Sequence, residues 1–142
     1  QGAYVASDSR IIEFLINRAR SFIFTTAMNP FACGASLKAI ELVESEPFRR
    51  EKVAELVKYT ENKLKENGFD IHNSKTQIIP VIIGENEKAV MVSKLLAENG
   101  LLVSAIRPPT VPQGSARLRM TLNYNHNFEE INLMGDILKK SI

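Results

Sequence analysis

Ala116-Arg117-Leu118-Arg119-Met120-Thr121-Leu122 alternates without a break. Successive side chains of a strand leave opposite faces of a sheet, so Leu118, Met120 and Leu122 point one way while Arg117, Arg119 and Thr121 point the other. The stretch predicts a strand with one face in a core and a basic face outside it. Upstream, Thr76-Gln77-Ile78-Ile79-Pro80-Val81-Ile82-Ile83-Gly84 is a nearly continuous apolar, β-branched run, as expected of a strand covered on both faces. Pro80 cannot donate to a ladder and places this strand at an edge or at a bulge. Leu101 to Ile106 predicts a further strand.

Helical patterns separate and flank these strands. Glu85-Asn86 opens a helix carrying Ala89, Val90, Leu95 and Leu96, which Asn99-Gly100 closes. Asn127, with Glu130 three residues on, predicts a capping box for a last helix that turns Phe128, Ile131, Met134 and Leu138 inward. Ser45-Glu46-Pro47 predicts the start of another helix, with serine as cap and proline in the first turn. Val53, Leu56, Val57, Thr60 and Leu64 form its apolar face, and Asn67-Gly68 ends it. The stretch Arg107-Pro108-Pro109-Thr110-Val111-Pro112-Gln113-Gly114 is too proline-rich for regular structure and predicts a stiff loop.

Before residue 46 the chain reads as helical. Ser7-Asp8-Ser9 offers caps for a helix through Ile11, Ile12, Leu15 and Ile16. Phe22-Ile23-Phe24-Thr25-Thr26 favours an extended connector. From Asn29-Pro30 a second helix begins, and its small residues Ala32, Cys33, Gly34, Ala35 and Ser36 predict a buried helix that another backbone approaches closely. The whole is an α/β arrangement: a small mixed or antiparallel sheet with helices packed on it in residues 46–142, preceded by a helical segment in residues 1–45.

Composition narrows the function classes. Eighteen Lys and Arg against sixteen Asp and Glu give a net charge of +2 over 142 residues, too little for a nucleic-acid footprint. No apolar run approaches the ~20 residues of a membrane span, so neither nucleic acid nor membrane is an expected partner. The single cysteine, Cys33, cannot form an internal disulfide and suits a reducing compartment, the cytoplasm. The chain begins Gln1-Gly2-Ala3-Tyr4-Val5 without methionine, which is read as a boundary within a longer protein.

Arg107, Arg117 and Arg119 are the strongest candidates for binding chemistry. Pro108 biases Arg107 toward an extended backbone, and a guanidinium grips a carboxylate through two parallel hydrogen bonds. Two readings stay open on spacing alone: three guanidinium groups converging on one anion, or separate solvated surface arginines. Thr25 and Thr26 offer hydroxyls ahead of a helix, able either to hold a phosphate or to cap that helix. Tyr4 follows a glycine and could stack on a ligand or pack in a core. His72 and His126 have no partner at metal-ligand spacing, so no metal site is expected, and Cys33 reads as packing rather than as a nucleophile.

Taken together, Gly2-Ala3-Tyr4-Val5, Phe22-Ile23-Phe24-Thr25-Thr26-Ala27 with Pro30, Ile79-Pro80-Val81, and Ala105-Ile106-Arg107-Pro108-Pro109-Thr110-Val111-Pro112 followed by Gly114 and Ala116-Arg117-Leu118-Arg119 resemble, in order and spacing, the C-terminal part of the α-oxoamine synthases, fold type I pyridoxal-phosphate enzymes. The resemblance implies the C-terminal small domain of that fold, preceded by the end of the large domain and interdomain helices. Its Ile-Arg-Pro-Pro-Thr form is similar to the members of biotin synthesis that condense L-alanine with a pimeloyl thioester, on coenzyme A or on a carrier protein, with loss of carbon dioxide. Two departures stand against that pattern: Asn123-Tyr124-Asn125-His126 replaces a more alanine-rich stretch, and Met28-Asn29 stands where leucine-proline is common.

By this resemblance Arg119 binds the substrate α-carboxylate, and Arg107 assists near the carboxylate or on the acyl-thioester side. Thr25 and Thr26 reach the phosphate of pyridoxal 5'-phosphate across a homodimer interface. The lysine that holds the cofactor lies upstream of Gln1, so the resemblance implies that this stretch alone is inactive; Lys38, Lys52 and Lys58 do not match its motif. The enzymatic alternative is a glycine-using relative making aminoketobutyrate or aminolevulinate. The non-enzymatic alternative is a free-standing anion-binding or dimerisation module.

Overall fold

The computed structural model describes residues 3–142 and divides into two compact units, one ending at Pro47 and the other Phe48–Ile142. Gly2 of the glycine-tyrosine segment lies outside the described residues.

The first unit holds three helices. Asp8 caps α1 (Ser9–Arg18), its side chain accepting from the Arg10 N–H at 2.9 Å. Arg20–Ile23 forms a single helical turn, α2, where an extended connector was expected. The carbonyl of Ala19 accepts from the amides of Phe22 and Ile23, and the strand preference of Phe22 and Ile23 does not prevent that turn when no neighbouring strand offers pairing. Asn29 caps α3 (Pro30–Ser45) through its side chain, with Pro30 in the first turn.

None of these helices contains a buried residue. The expected burial of α3 is therefore corrected: Cys33 is exposed, and Phe31, Leu37 and Ile40 are all more than half exposed. Small residues permit close approach by a neighbour, but they do not supply one, and a helical stretch of this length buries too little apolar surface to close a core alone. Tyr4 is exposed as well.

The second unit carries the sheet. Its order is α4 (Phe48–Glu66), β1 (Ile78–Gly84), α5 (Asn86–Glu98), β2 (Ser104–Ile106), β3 (Ala116–Thr121) and α6 (Phe128–Ser141). The three strands lie in the order β1-β3-β2, all antiparallel. β3 is thus central, and β1 is an edge strand, which explains how Pro80 is tolerated within it. The ladder slips between Ile82 and Gly84, where Gly84 has φ +87°. β2 is shorter than the expected 101–106, because Leu101–Val103 makes no strand pairing.

Helix boundaries follow the local chemistry. The Phe69 amide reaches back to the Leu64 carbonyl past Gly68, and that of Leu101 to Leu96 past Gly100; both glycines sit at φ near +80°. Asn127 and Glu130 form the reciprocal capping box of α6. Ser45, however, does not cap α4. It is the last residue of α3, and its hydroxyl donates to the Glu41 carbonyl instead.

One face of the sheet makes the core. Ile79 and Val81 of β1 with Leu118 and Met120 of β3 pack against Leu56 and Leu64 of α4, Val92 and Leu96 of α5, and Ile131, Met134 and Leu138 of α6. Thr60 is the polar exception, and its hydroxyl donates to the Leu56 carbonyl at 2.7 Å. Phe128, expected inward, is partly exposed and sets its ring edge against Tyr59.

Leu118→Ala should lower the unfolding free energy by about 2–5 kcal/mol, since a fully buried side chain is lost from the central strand. Leu102→Ser, at a residue 94% exposed, should change it by less than about 0.5 kcal/mol. Urea unfolding followed by circular dichroism measures both, and an unmoved midpoint for Leu118→Ala would contradict the assigned core.

Candidate functional site

The strand that fills the core also builds the open face. In the antiparallel register Arg119 stands opposite Pro80 on β1 and Ser104 on β2, and Arg117 opposite Ile82 and Ile106. Directly paired residues share a face, so these six side chains form two rows on the side away from the helices. Arg117 is half-buried, and its Nε donates to the Ser115 carbonyl at 3.0 Å. Arg119 is exposed, and among the described residues its guanidinium has neither a hydrogen-bond nor an ion-pair partner. Of the two arginines on this face, Arg119 is the one whose fork is uncommitted.

Arg107 lies elsewhere. One residue beyond β2, it is exposed and lines a shallow groove of ≈ 400 Å³ with Asn86, Glu87, Val90, Met91 and Lys94 of α5, a helix on the covered side of the sheet. Neither Arg117 nor Arg119 lines that groove. The structure does not gather the three guanidinium groups in that groove. Arg117 and Arg119 share a face, Arg117 is already tied to a carbonyl, and Arg107 points into different surroundings. The peptide between Pro108 and Pro109 within this loop is cis.

Thr25 and Thr26 belong to the first unit, in the irregular stretch between α2 and α3, and both are exposed. They do not cap α3, because Asn29 does so. The Thr25 hydroxyl makes only a long 3.4 Å contact to the Thr26 carbonyl, which leaves two adjacent hydroxyl donors of the kind a phosphate takes. The histidines have local roles. His126 Nδ1 accepts from the Asn123 amide at 3.0 Å, and His72, at φ +51°, lies beside Asp70. No cluster of metal-ligating side chains occurs among the described residues.

A second groove, of ≈ 750 Å³, runs between α4 and the ends of β1 and β3, with Arg50, Val53, Val57, Lys58, Lys75 and Tyr124 among its walls. The Tyr124 ring is faced by Arg49 and Lys52, each 4.7 Å from its centroid, and meets Phe48 edge-on. Sequence reasoning gave these residues no role. Their pairing across about 75 positions leaves no local signature. Ser104 and Pro80, the flanking neighbours of Arg119, were also missed, although alternation along each strand together with the register would have found them.

The family model for aminotransferase class I and II matches residues 1–133. The 8-amino-7-oxononanoate synthase of Nitrosospira multiformis is 45% identical over 139 residues, 98% of this chain and 35% of that protein. The crystal structure of 8-amino-7-oxononanoate synthase from Francisella tularensis superimposes with a TM-score of 0.82 and 25% identity, over 95% of this chain and 39% of that one. A structure of SPT with PLP superimposes with a TM-score of 0.85 at 23% identity, over 96% of this chain and 35% of its own, and shares the fold. The chain spans about a third of the length of the curated relatives it matches.

Arg119→Met should leave the stability of the chain within about 0.5 kcal/mol, because no partner is lost. Arg117→Ala should cost about 1 kcal/mol through the hydrogen bond to Ser115. Equal and large losses in urea midpoint for both would show that Arg119 is held by contacts of its own.

Proposed function

Because the chain belongs to the aminotransferase class I and II family, we propose that it is the substrate-carboxylate-recognising part of a longer pyridoxal-phosphate-dependent acyltransferase, one that condenses L-alanine with a pimeloyl thioester to 8-amino-7-oxononanoate in biotin synthesis. The observation that carries this reading is the uncommitted guanidinium of Arg119 on the open face of the sheet, within a chain so similar along its whole length to synthases of that name.

Each residue has a task that its surroundings allow. Arg119 grips the α-carboxylate of the amino acid through two parallel hydrogen bonds. Arg107 assists near the carboxylate or on the acyl-thioester side. Thr25 and Thr26 donate from their hydroxyls to the cofactor phosphate across a homodimer interface. Pyridoxal 5'-phosphate, when bound, supplies the electron sink for the carbon next to the amino group. No lysine of this chain is assigned to holding it: Lys38 is paired with Glu41 at 3.0 Å, and Lys52 faces Tyr124. That lysine belongs to the rest of the longer protein, and this stretch alone is inactive. The lone cysteine suits the cytoplasm as the place of reaction.

A full-length protein carrying this segment should release free thiol from a pimeloyl thioester only when L-alanine is added; activity with glycine and acetyl-CoA instead would overturn the substrate assignment. In that protein Arg119→Ala should weaken amino-acid binding by about 2–5 kcal/mol, as expected when one member of a desolvated charge pair is removed, while cofactor content stays unchanged. An unaltered dependence on alanine concentration would remove Arg119 from this role.

A further inference from the structure

The assignment of Arg119 leaves a mechanical problem. An exposed arginine on a strand has many rotamers, yet bidentate recognition needs the guanidinium plane held in one orientation. The register supplies neighbours on both flanks. On β1 stands Pro80, whose ring has no polar atom to offer and can only pack along the arginine methylenes. On β2 stands Ser104, exposed, in the same cross-strand row. Its hydroxyl, like the guanidinium, has no hydrogen-bond partner among the described residues.

Directly opposed residues of an antiparallel pair have Cβ atoms about 4.5–5.5 Å apart, so the serine Oγ lies within reach of an arginine Nε or Nη that leans toward β2. The donor count permits this contact together with substrate binding. A guanidinium has five N–H groups, a bidentate carboxylate uses two, and Oγ can accept one of the others. The other candidates on this face are worse placed. Arg117 has no acceptor, and Thr121 stands opposite Ile78, a full two-residue step along β3.

Resting on the reading of Arg119 as the carboxylate receptor, we propose that Ser104 is its positioning residue: when Arg119 leans toward β2 to take the carboxylate, the Ser104 Oγ accepts a hydrogen bond from the guanidinium and fixes the plane of the fork, with Pro80 on the opposite flank. Ser104 does not touch the reacting atoms. Its loss therefore loosens binding of the amino acid without changing the chemistry that follows.

Steady-state kinetics of the full-length enzyme test this. Ser104→Ala should raise KM for the amino acid about five- to tenfold, leave kcat within twofold, and leave KM for the thioester unmoved. Ser104→Thr, which restores a hydroxyl at the same reach, should recover the wild-type KM. Combined with Arg119→Met, which alone raises that KM further, Ser104→Ala should add nothing, since the group it positions is gone. An unchanged KM in Ser104→Ala while Arg119→Met raises it, or a fully additive double variant, would overturn the role of Ser104 alone. An unchanged KM in Arg119→Met would overturn both this inference and the carboxylate reading beneath it.

Discussion

The rest of the second unit depends on the pairing of β3 with strands on both sides. That pairing fixes the strand's rotation, and burial of Leu118 and Met120 beneath three helices fixes which face is inside. Arg117 and Arg119 are then forced outward, because a strand has only two faces and the apolar one is full. A slip of one residue would exchange the two sets and place guanidinium groups in a core where, among the described residues, no buried carboxylate receives them. The same constraint that stabilises the domain therefore sets the face of its candidate receptor, and Arg119 cannot move to the other face without a break in the strand pairing.

Much of this was legible from the chain. Unbroken alternation from Ala116 to Leu122, Pro80 in an apolar run, the Asn127 and Glu130 capping pair, and glycines 68 and 100 after helical patterns are all local signals, and each marks the element found there. What misled was information that is not local. The small residues of α3 read as a buried helix, but burial belongs to the neighbour as much as to the residue, and none of the helix is buried within this chain. Arg107 and Arg119 are close in sequence, but Arg107, one residue past β2, lines the groove along α5 and Arg119 does not, a placement that strand alternation alone does not give.

The first unit presents a different physical situation. Phe14, Phe22, Phe31 and Leu37 stand well exposed on its helices and Phe24 just past α2, a large apolar surface for water to cover. The chain covers about a third of the length of its curated relatives. The threonine pair lies on this unit, whereas Arg119 and its flanking row lie on the second.

The central claim is that the Arg119 fork recognises a carboxylate. The most direct measurement compares binding of L-alanine with that of L-alaninamide, which keeps the amine and methyl groups but lacks the negative charge, to the full-length protein with and without Arg119→Met. The account predicts that the wild type strongly prefers L-alanine and that the preference disappears in the variant. Retention of the full preference in Arg119→Met would contradict it.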